Sequence, residues 1–159
     1  MPITKYPLFD KQQTADEIAA LVLQYSGDLR SIYIKRNGKP VSVRDLPLDI
    51  YFNLVKNIPY KLDPSRPHVK EIIGRPYRLF KMKDRGLDCK KKSILCGAWA
   101  KENSFDYRFM GSSQRADRKI HHIFPQIFYG EEWRNFDATY PEYELFGEKN
   151  DLTNLEVLA

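Results

Sequence analysis

The chain is poor in cysteine and histidine and has no long apolar run, and each scarcity closes a class of explanation. Cysteine occurs only at Cys89 and Cys96 in 159 residues, which argues against the disulfide framework of a small secreted scaffold. Were both on one helix, the 1.5 Å rise per residue would hold them about 10 Å apart. That exceeds the ~7 Å Cα separation a disulfide spans, so the two thiols need separate explanations. Histidine occurs at His68, His121 and His122, without the HxxxH or CxxC spacing of a metal site. A mixed zinc set of Cys89, His121, His122 and Asp137 would require two adjacent histidines to point one way, so no metal is expected. No stretch approaches the ~18 apolar residues of a membrane span. No apolar region follows Met1–Tyr6, so no signal peptide is expected. Zinc-finger, P-loop and RNP-type patterns are lacking, so neither nucleic acid nor a cofactor is an expected partner.

What is present fits a folded domain. Hydrophobic residues make up 42% and charged residues 30% of the chain, the balance of a soluble globular protein. The length suits one domain over residues 1–159, with a motif-bearing core at about 52–140. Twenty-six Lys and Arg against 21 Asp and Glu give a net charge of +5. The positive charge gathers in Lys81–Lys92 (KMKDRGLDCKKK) and Arg108–Lys119. The expectation is a solvated basic face; attraction of an acidic partner is the alternative.

Periodicity gives a coarse map. Met1–Lys11 reads as an extended lead-in. Thr14 and Glu17 have capping-box spacing, and Ile18, Leu21, Val22 and Tyr25 predict a helix over Ala15–Tyr25. Leu29–Arg36 is β-rich and runs into Asn37-Gly38, a strong hairpin turn, with Val41 and Val43 beyond it. Asp45–Asn57 reads as a helix with Pro47 in its first turn. After a Pro-rich loop come a short helical piece at Val69–Ile73 and then a polar, basic stretch. Ile94, Leu95, Ala98 and Trp99 predict a helix over Cys89–Lys101. Three β segments follow, at Phe105–Met110, Ile120–Tyr129 and Trp133–Ala138. Pro125 inside the second demands an edge position or a bulge. Helices first and strands later argue for an α+β fold.

Thiol acyl-transfer chemistry needs a nucleophile, a neighbouring base and a group that orients the base. Cys89 stands where a loop becomes a helix, and unpaired N–H groups and the helix dipole there favour a thiolate. His122 lies in the next β region and Asp137 in the following one, and adjacent antiparallel strands would set them side by side. Residue types alone leave plainer readings open. Cys89 fits a core cysteine, His122 a satisfied strand residue and Asp137 a turn carboxylate.

Four stretches bear on that choice. Arg85-Gly86-Leu87-Asp88-Cys89-Lys90-Lys91-Lys92-Ser93, followed by the apolar Ile94–Trp99, resembles the Gly-Asp-Cys turn and nucleophile helix of the transglutaminase-like, papain-related cysteine enzymes. His122-Ile123-Phe124-Pro125-Gln126-Ile127 resembles that family's His-aliphatic-aromatic strand. Trp133-Arg134-Asn135-Phe136-Asp137-Ala138-Thr139 resembles its Trp-x-x-aromatic-Asp-x-Thr strand. Val55–Tyr60 and Glu71–Leu79 also resemble the region before the nucleophile. The likeness runs from about Phe52 to Tyr140, and Tyr107–Ser112 resembles the matching strand of small stand-alone bacteriophage members.

The resemblance implies a nucleophile at the N-terminus of a central helix packed on a small antiparallel sheet. It assigns Cys89 as nucleophile, His122 as base and Asp137 as orienter, acting on a peptide or glutamine carboxamide carbonyl as protease, amidase or transglutaminase. The expected partner is a protein or peptide substrate, in a cytoplasmic or virion-associated setting. The rival is a non-catalytic binding or structural module of a phage particle that keeps the fold. His122 is preferred to His121 because the family register puts Phe124 two residues after the base; apolar residues on both faces leave the inner face undecided. His68 reads as a surface residue and Cys96 as a core cysteine two turns beyond Cys89. Trp99, Trp133, Met82 and Met110 read as packing residues, with a place lining the cleft as the alternative for Trp133. The Cys89 N–H is one natural oxyanion donor; Tyr77, Lys83 and Arg85 remain alternatives for the second.

Overall fold

In a computed structural model of the chain, residues 11–62, 74–113, 122–149 and 153–159 are described. The lead-in to Asp10, the Val69–Ile73 piece, His68 and His121 lie outside them. Helix α1 spans Lys11–Tyr25. It begins earlier than the Ala15 predicted, so Thr14 is a buried residue inside the helix and not its cap. Thr14, Ala15, Ile18 and Val22 form one buried stripe at helical spacing. A 3₁₀ turn at Ser26–Ser31 takes the first part of the predicted β stretch and buries Leu29.

The Asn37-Gly38 hairpin forms as expected. β1 (Tyr33–Arg36) pairs antiparallel with β2 (Lys39–Ser42), Arg36 opposite Lys39. Asn37 and Gly38 have φ of 53° and 78°, the left-handed pair that matches strand twist in a two-residue loop. Helix α2 runs Leu48–Lys56 with Pro47 as its N-cap residue, and α3 runs Pro76–Lys81 with Pro76 in its first turn.

Helix α4, Cys89–Glu102, is the centre of the molecule. It packs against α1, α2 and α3 and against strands of the main sheet. Every residue from Cys89 to Ala100 is buried. Trp99 is its aromatic hub. The indole stacks on Tyr51 and Phe105 at 5.8 and 5.6 Å between centroids, and its N–H donates to Leu46 O at 3.1 Å. Gly97 is where Phe109 closes on the helix; a Cβ there would lie 2.7 Å from the Phe109 ring.

The solvated basic face predicted for Lys81–Lys92 is corrected at Lys90, Lys91 and Lys92, which are 6%, 2% and 1% exposed. Lys90 Nζ lies 2.6 Å from Asp88 Oδ2. Lys92 Nζ donates to Ile58 O at 2.6 Å and Thr139 O at 2.8 Å. Buried charge is tolerated only when paired or hydrogen-bonded; Lys90 pairs with the residue that caps its own helix, and Lys92 ties the helix to the chain at Ile58 and Thr139.

The main sheet has the order β5-β4-β3-β6, with β3 Tyr107–Ser113, β4 His122–Tyr129, β5 Glu132–Asn135 and β6 Thr153–Val157. Its pairings are all antiparallel. The fold is thus α+β, helices packed on a curled antiparallel sheet. Pro125 is in an inner strand, in register with Phe109 of β3 and without a bulge. That corrects the edge-or-bulge expectation and shows how the proline is tolerated. Phe136 N–H donates to Pro125 O at 2.9 Å, but Pro125 has no N–H to return the bond. The β4–β5 ladder therefore ends there, β5 stops at Asn135, and Asp137 leaves the strand.

Candidate active site

Two local features set Cys89 at the head of α4. Gly86 has φ 91°, and a Cβ on it would come within 2.7 Å of Lys61 Cβ and 3.0 Å of Pro59 O. Only glycine lets the chain pass this close. Leu87 then plugs the core while its backbone bonds to both sides of Tyr60: Leu87 N–H to Pro59 O at 2.8 Å, and Lys61 N–H to Leu87 O at 3.3 Å. Asp88 caps the helix, its Oδ1 accepting from Lys91 N–H at 3.1 Å. Lys92 N–H bonds to Asp88 O at 3.0 Å, so Asp88 takes up the third and fourth N–H of the helix, and the Cys89 N–H is not among them.

His122 is the first residue of β4. Ser93 Oγ donates to Ile123 O at 3.2 Å, tying the second turn of α4 to the start of that strand. Alternation splits β4: Ile123 and Ile127 join the main core, whereas Phe124 forms a separate small cluster with Met110. His122 shares the Phe124 face and stacks on that ring at 5.6 Å between centroids. Directly across on β3 is Ser112. Its buried hydroxyl has no hydrogen-bond partner among the described residues.

Asp137 is brought to His122 by the turn after β5. His122 Nε2 lies 2.8 Å from Asp137 Oδ2. The other carboxylate oxygen accepts from Thr139 N–H at 3.1 Å and from the Thr139 hydroxyl. Lys149 Nζ approaches Oδ2 at 2.7 Å. Burial by itself would neutralise this carboxyl, but the His122 and Lys149 charges and hydrogen bonds hold it well below the usual carboxylate range.

The Cys89 thiol and the His122 imidazole are coupled, each shifting the titration of the other. Burial pushes the Cys89 thiol up and the Asp88 charge adds to that. The His122 hydrogen bond and charge, with help from Lys90, more than offset both and set the thiol below its ordinary value. Burial alone would deprotonate His122, but the Asp137 charge and hydrogen bond, and then the thiol, hold it well above the ordinary imidazole range. Both Cys89 and His122 are only 7% exposed.

Cys96 behaves oppositely. It is fully buried, and desolvation, with the Asp137 charge behind it, drives its thiol far up; it is a core cysteine, as its spacing predicted. Neither cysteine is in a disulfide. Among the described residues, no group of three or more His, Cys, Asp and Glu side chains is arranged to hold a metal ion, and no helix is long and apolar enough to cross a membrane.

Sequence reasoning missed three neighbours of the site. Tyr60 is half-buried and feels both Cys89 and Asp88; burial and a hydrogen bond with Tyr140 push its phenol far up. Tyr77, offered from the sequence as an oxyanion donor, is 43% exposed, and its N–H bonds to Asp28 at 3.0 Å. Thr139 was legible in principle, because Asp-x-Thr is the spacing of a carboxylate that bonds its own backbone two residues on. Lys149 had no signal, lying beyond the last periodic segment. Comparison with protein-family models, curated proteins and solved structures finds no match.

Proposed function

We propose that the chain is a cysteine-dependent acyl-transfer enzyme of the transglutaminase-like, papain-related kind. The observation that supports this most is the buried His122–Asp137 contact at 2.8 Å, together with a helix-head thiol that the His122 charge helps set below its ordinary value. A nucleophile, a base and an orienting group are together, with charge arranged for a thiolate–imidazolium pair.

The thiolate of Cys89 attacks a peptide or carboxamide carbonyl, forming the S–C bond and pushing the C=O electrons onto oxygen. The Cys89 N–H and the α4 dipole face that developing charge. Collapse expels the amine, which takes the proton from His122 and leaves a thioester. His122 then accepts a proton from water, for hydrolysis, or from an amine, for transfer; attack breaks the S–C bond and regenerates the pair. Asp137 stays ionised throughout and holds the ring.

The burial of Cys89 and His122 favours a second reading, a non-catalytic module that keeps the fold. Acylation by p-nitrophenyl acetate separates the two without a known substrate. The enzyme reading expects a burst of nitrophenolate, an acetyl group mapped to Cys89, and slow turnover that His122→Ala abolishes. Acetylation of Cys89 no faster than in the unfolded chain would establish the second reading.

A further inference from the structure

The Asp137 carboxylate carries a partner that the proposed chemistry does not use. Lys149 Nζ lies 2.7 Å from Asp137 Oδ2, the same oxygen that His122 Nε2 approaches at 2.8 Å. The lysine side chain is only 7% exposed. Its ammonium sits 3.7 Å from the centroid of Tyr143 and 5.2 Å from that of Phe124. Phe124 is also the ring on which His122 stacks. The chain after β5 is pinned to bring the lysine there: Phe146 N–H donates to Asn135 O at 3.1 Å, and Asn135 Nδ2 donates to Gly147 O at 2.9 Å. A long, flexible, strongly hydrated side chain is thus fixed by backbone anchors and two aromatic faces against one carboxylate oxygen.

This placement has an electrostatic consequence. A carboxylate beside an imidazole favours imidazolium, and more so when both are buried. A second cation on the same oxygen opposes that, by neutralising part of the carboxylate charge and by repelling the imidazolium directly. We propose that Lys149 is a positioning residue that fixes the Asp137 carboxylate against His122 and limits how strongly it holds the imidazolium proton. A base bound to its proton too tightly is a poor acid for the leaving amine. The inference deepens the acyl-transfer reading and rests on it for its catalytic meaning, but the electrostatic coupling is measurable without activity.

Among the described residues, other groups that bear on His122 are few. From α4 come Cys89 and, behind it, Asp88 and Lys90; Lys92 and Cys96 act on Asp137 from the same helix. The segment after β5 adds Tyr143, whose ring lies against Lys149, and Glu148 beside Lys149 in sequence, each with interactions of its own. Tyr60 reaches Cys89 from the loop before α3. β3 faces the imidazole with Ser112 and the neighbouring Met110, which do not titrate. Among the described residues, Lys149 is the cation that contacts the carboxylate directly.

The test is the pH titration of the His122 ring nitrogens by NMR in the full chain and in Lys149→Met, Lys149→Gln and Lys149→Arg. The methionine and glutamine variants are expected to raise the His122 midpoint by about one pH unit, the low end of what an adjacent charge does. The arginine variant is expected to stay near the parent. If Lys149 only packs the segment, Met and Gln will lower the melting temperature and leave the midpoint in place, which overturns the proposal. A downward shift, or an arginine variant that moves as far as methionine, overturns it too. Should Cys89 titrate as an ordinary thiol while His122 follows Lys149 as expected, the coupling stands and the acyl-transfer reading fails.

Discussion

Asp137→Asn is the substitution whose cost the structure defines best. Among the described residues, every polar group bonded to this carboxylate is a donor: Thr139 N–H, the Thr139 hydroxyl, His122 Nε2 and Lys149 Nζ. Asparagine replaces one acceptor oxygen by an NH₂ group, so either orientation of the amide sets donor against donor. In either orientation the buried Lys149 ammonium loses its counter-charge, and with the NH₂ toward His122 and Lys149 it faces a donor as well. With the NH₂ toward Thr139, the hydroxyl can turn round but the backbone N–H cannot. Removing one partner of a buried ion pair typically costs about 3–5 kcal/mol, a large share of the roughly 5–15 kcal/mol of a whole domain. Urea unfolding followed by circular dichroism measures it. Asp137→Asn with Lys149→Met removes the stranded cation as well, so the double variant should be more stable than Asp137→Asn alone. A cost below about 1 kcal/mol, the size typical of exposed ion pairs, or strict additivity of the two changes, would refute the reasoning.

Three other expectations follow from buried groups. Burial holds Lys92 down at about 8, below the ~10.4 of an unfolded lysine. Between those values the unfolded chain binds more protons, so Lys92 makes stability rise with pH. His122, raised on folding, works in the opposite direction above the ordinary imidazole range, so urea titrations of the parent and Lys92→Met are compared across pH 8–10, and only the parent should carry the lysine's rise. Ser112→Ala should leave stability unchanged or slightly improved, because the buried hydroxyl has no partner to lose; a loss above about 1.5 kcal/mol in thermal unfolding would reveal an interaction not accounted for. Gly97→Ala should destabilise by about 1–3 kcal/mol through the Phe109 ring, and an unchanged melting temperature would mean that the ring gives way freely.

The sequence revealed element types better than edges, and pairs better than surroundings. α4 was legible because Ile94, Leu95, Ala98 and Trp99 keep helical spacing, and the Asn37-Gly38 hairpin because its turn geometry is residue-specific. The end of β5 was misplaced because a proline one strand away decides it, and no local pattern in Trp133–Ala138 shows that. Lys90 and Lys92 looked like solvent-facing charge because their acceptors are a neighbouring capping carboxylate and carbonyls distant in sequence, Ile58 O and Thr139 O. The meeting of His122 with Asp137 was expected, but as strand neighbours; in the structure Asp137 arrives from the turn beyond the strand. Lys149 was invisible, since a lysine in an aperiodic segment looks like any other until the chain is folded around it.

The central claim is that His122 sets the chemistry of Cys89, and the most direct measurement is the pH dependence of alkylation at each cysteine. Iodoacetamide adducts are mapped on Cys89 and Cys96 in the parent and in His122→Ala, with folding verified by circular dichroism. Burial slows both reactions, so the midpoint in pH is the readout. The account predicts that Cys89 gains reactivity below the ~8.5 of a free thiol, that Cys96 stays unlabelled while the chain is folded, and that His122→Ala moves the Cys89 midpoint above the free value. Equal labelling of the two cysteines at ordinary thiol rates, or a Cys89 midpoint indifferent to His122, would contradict it.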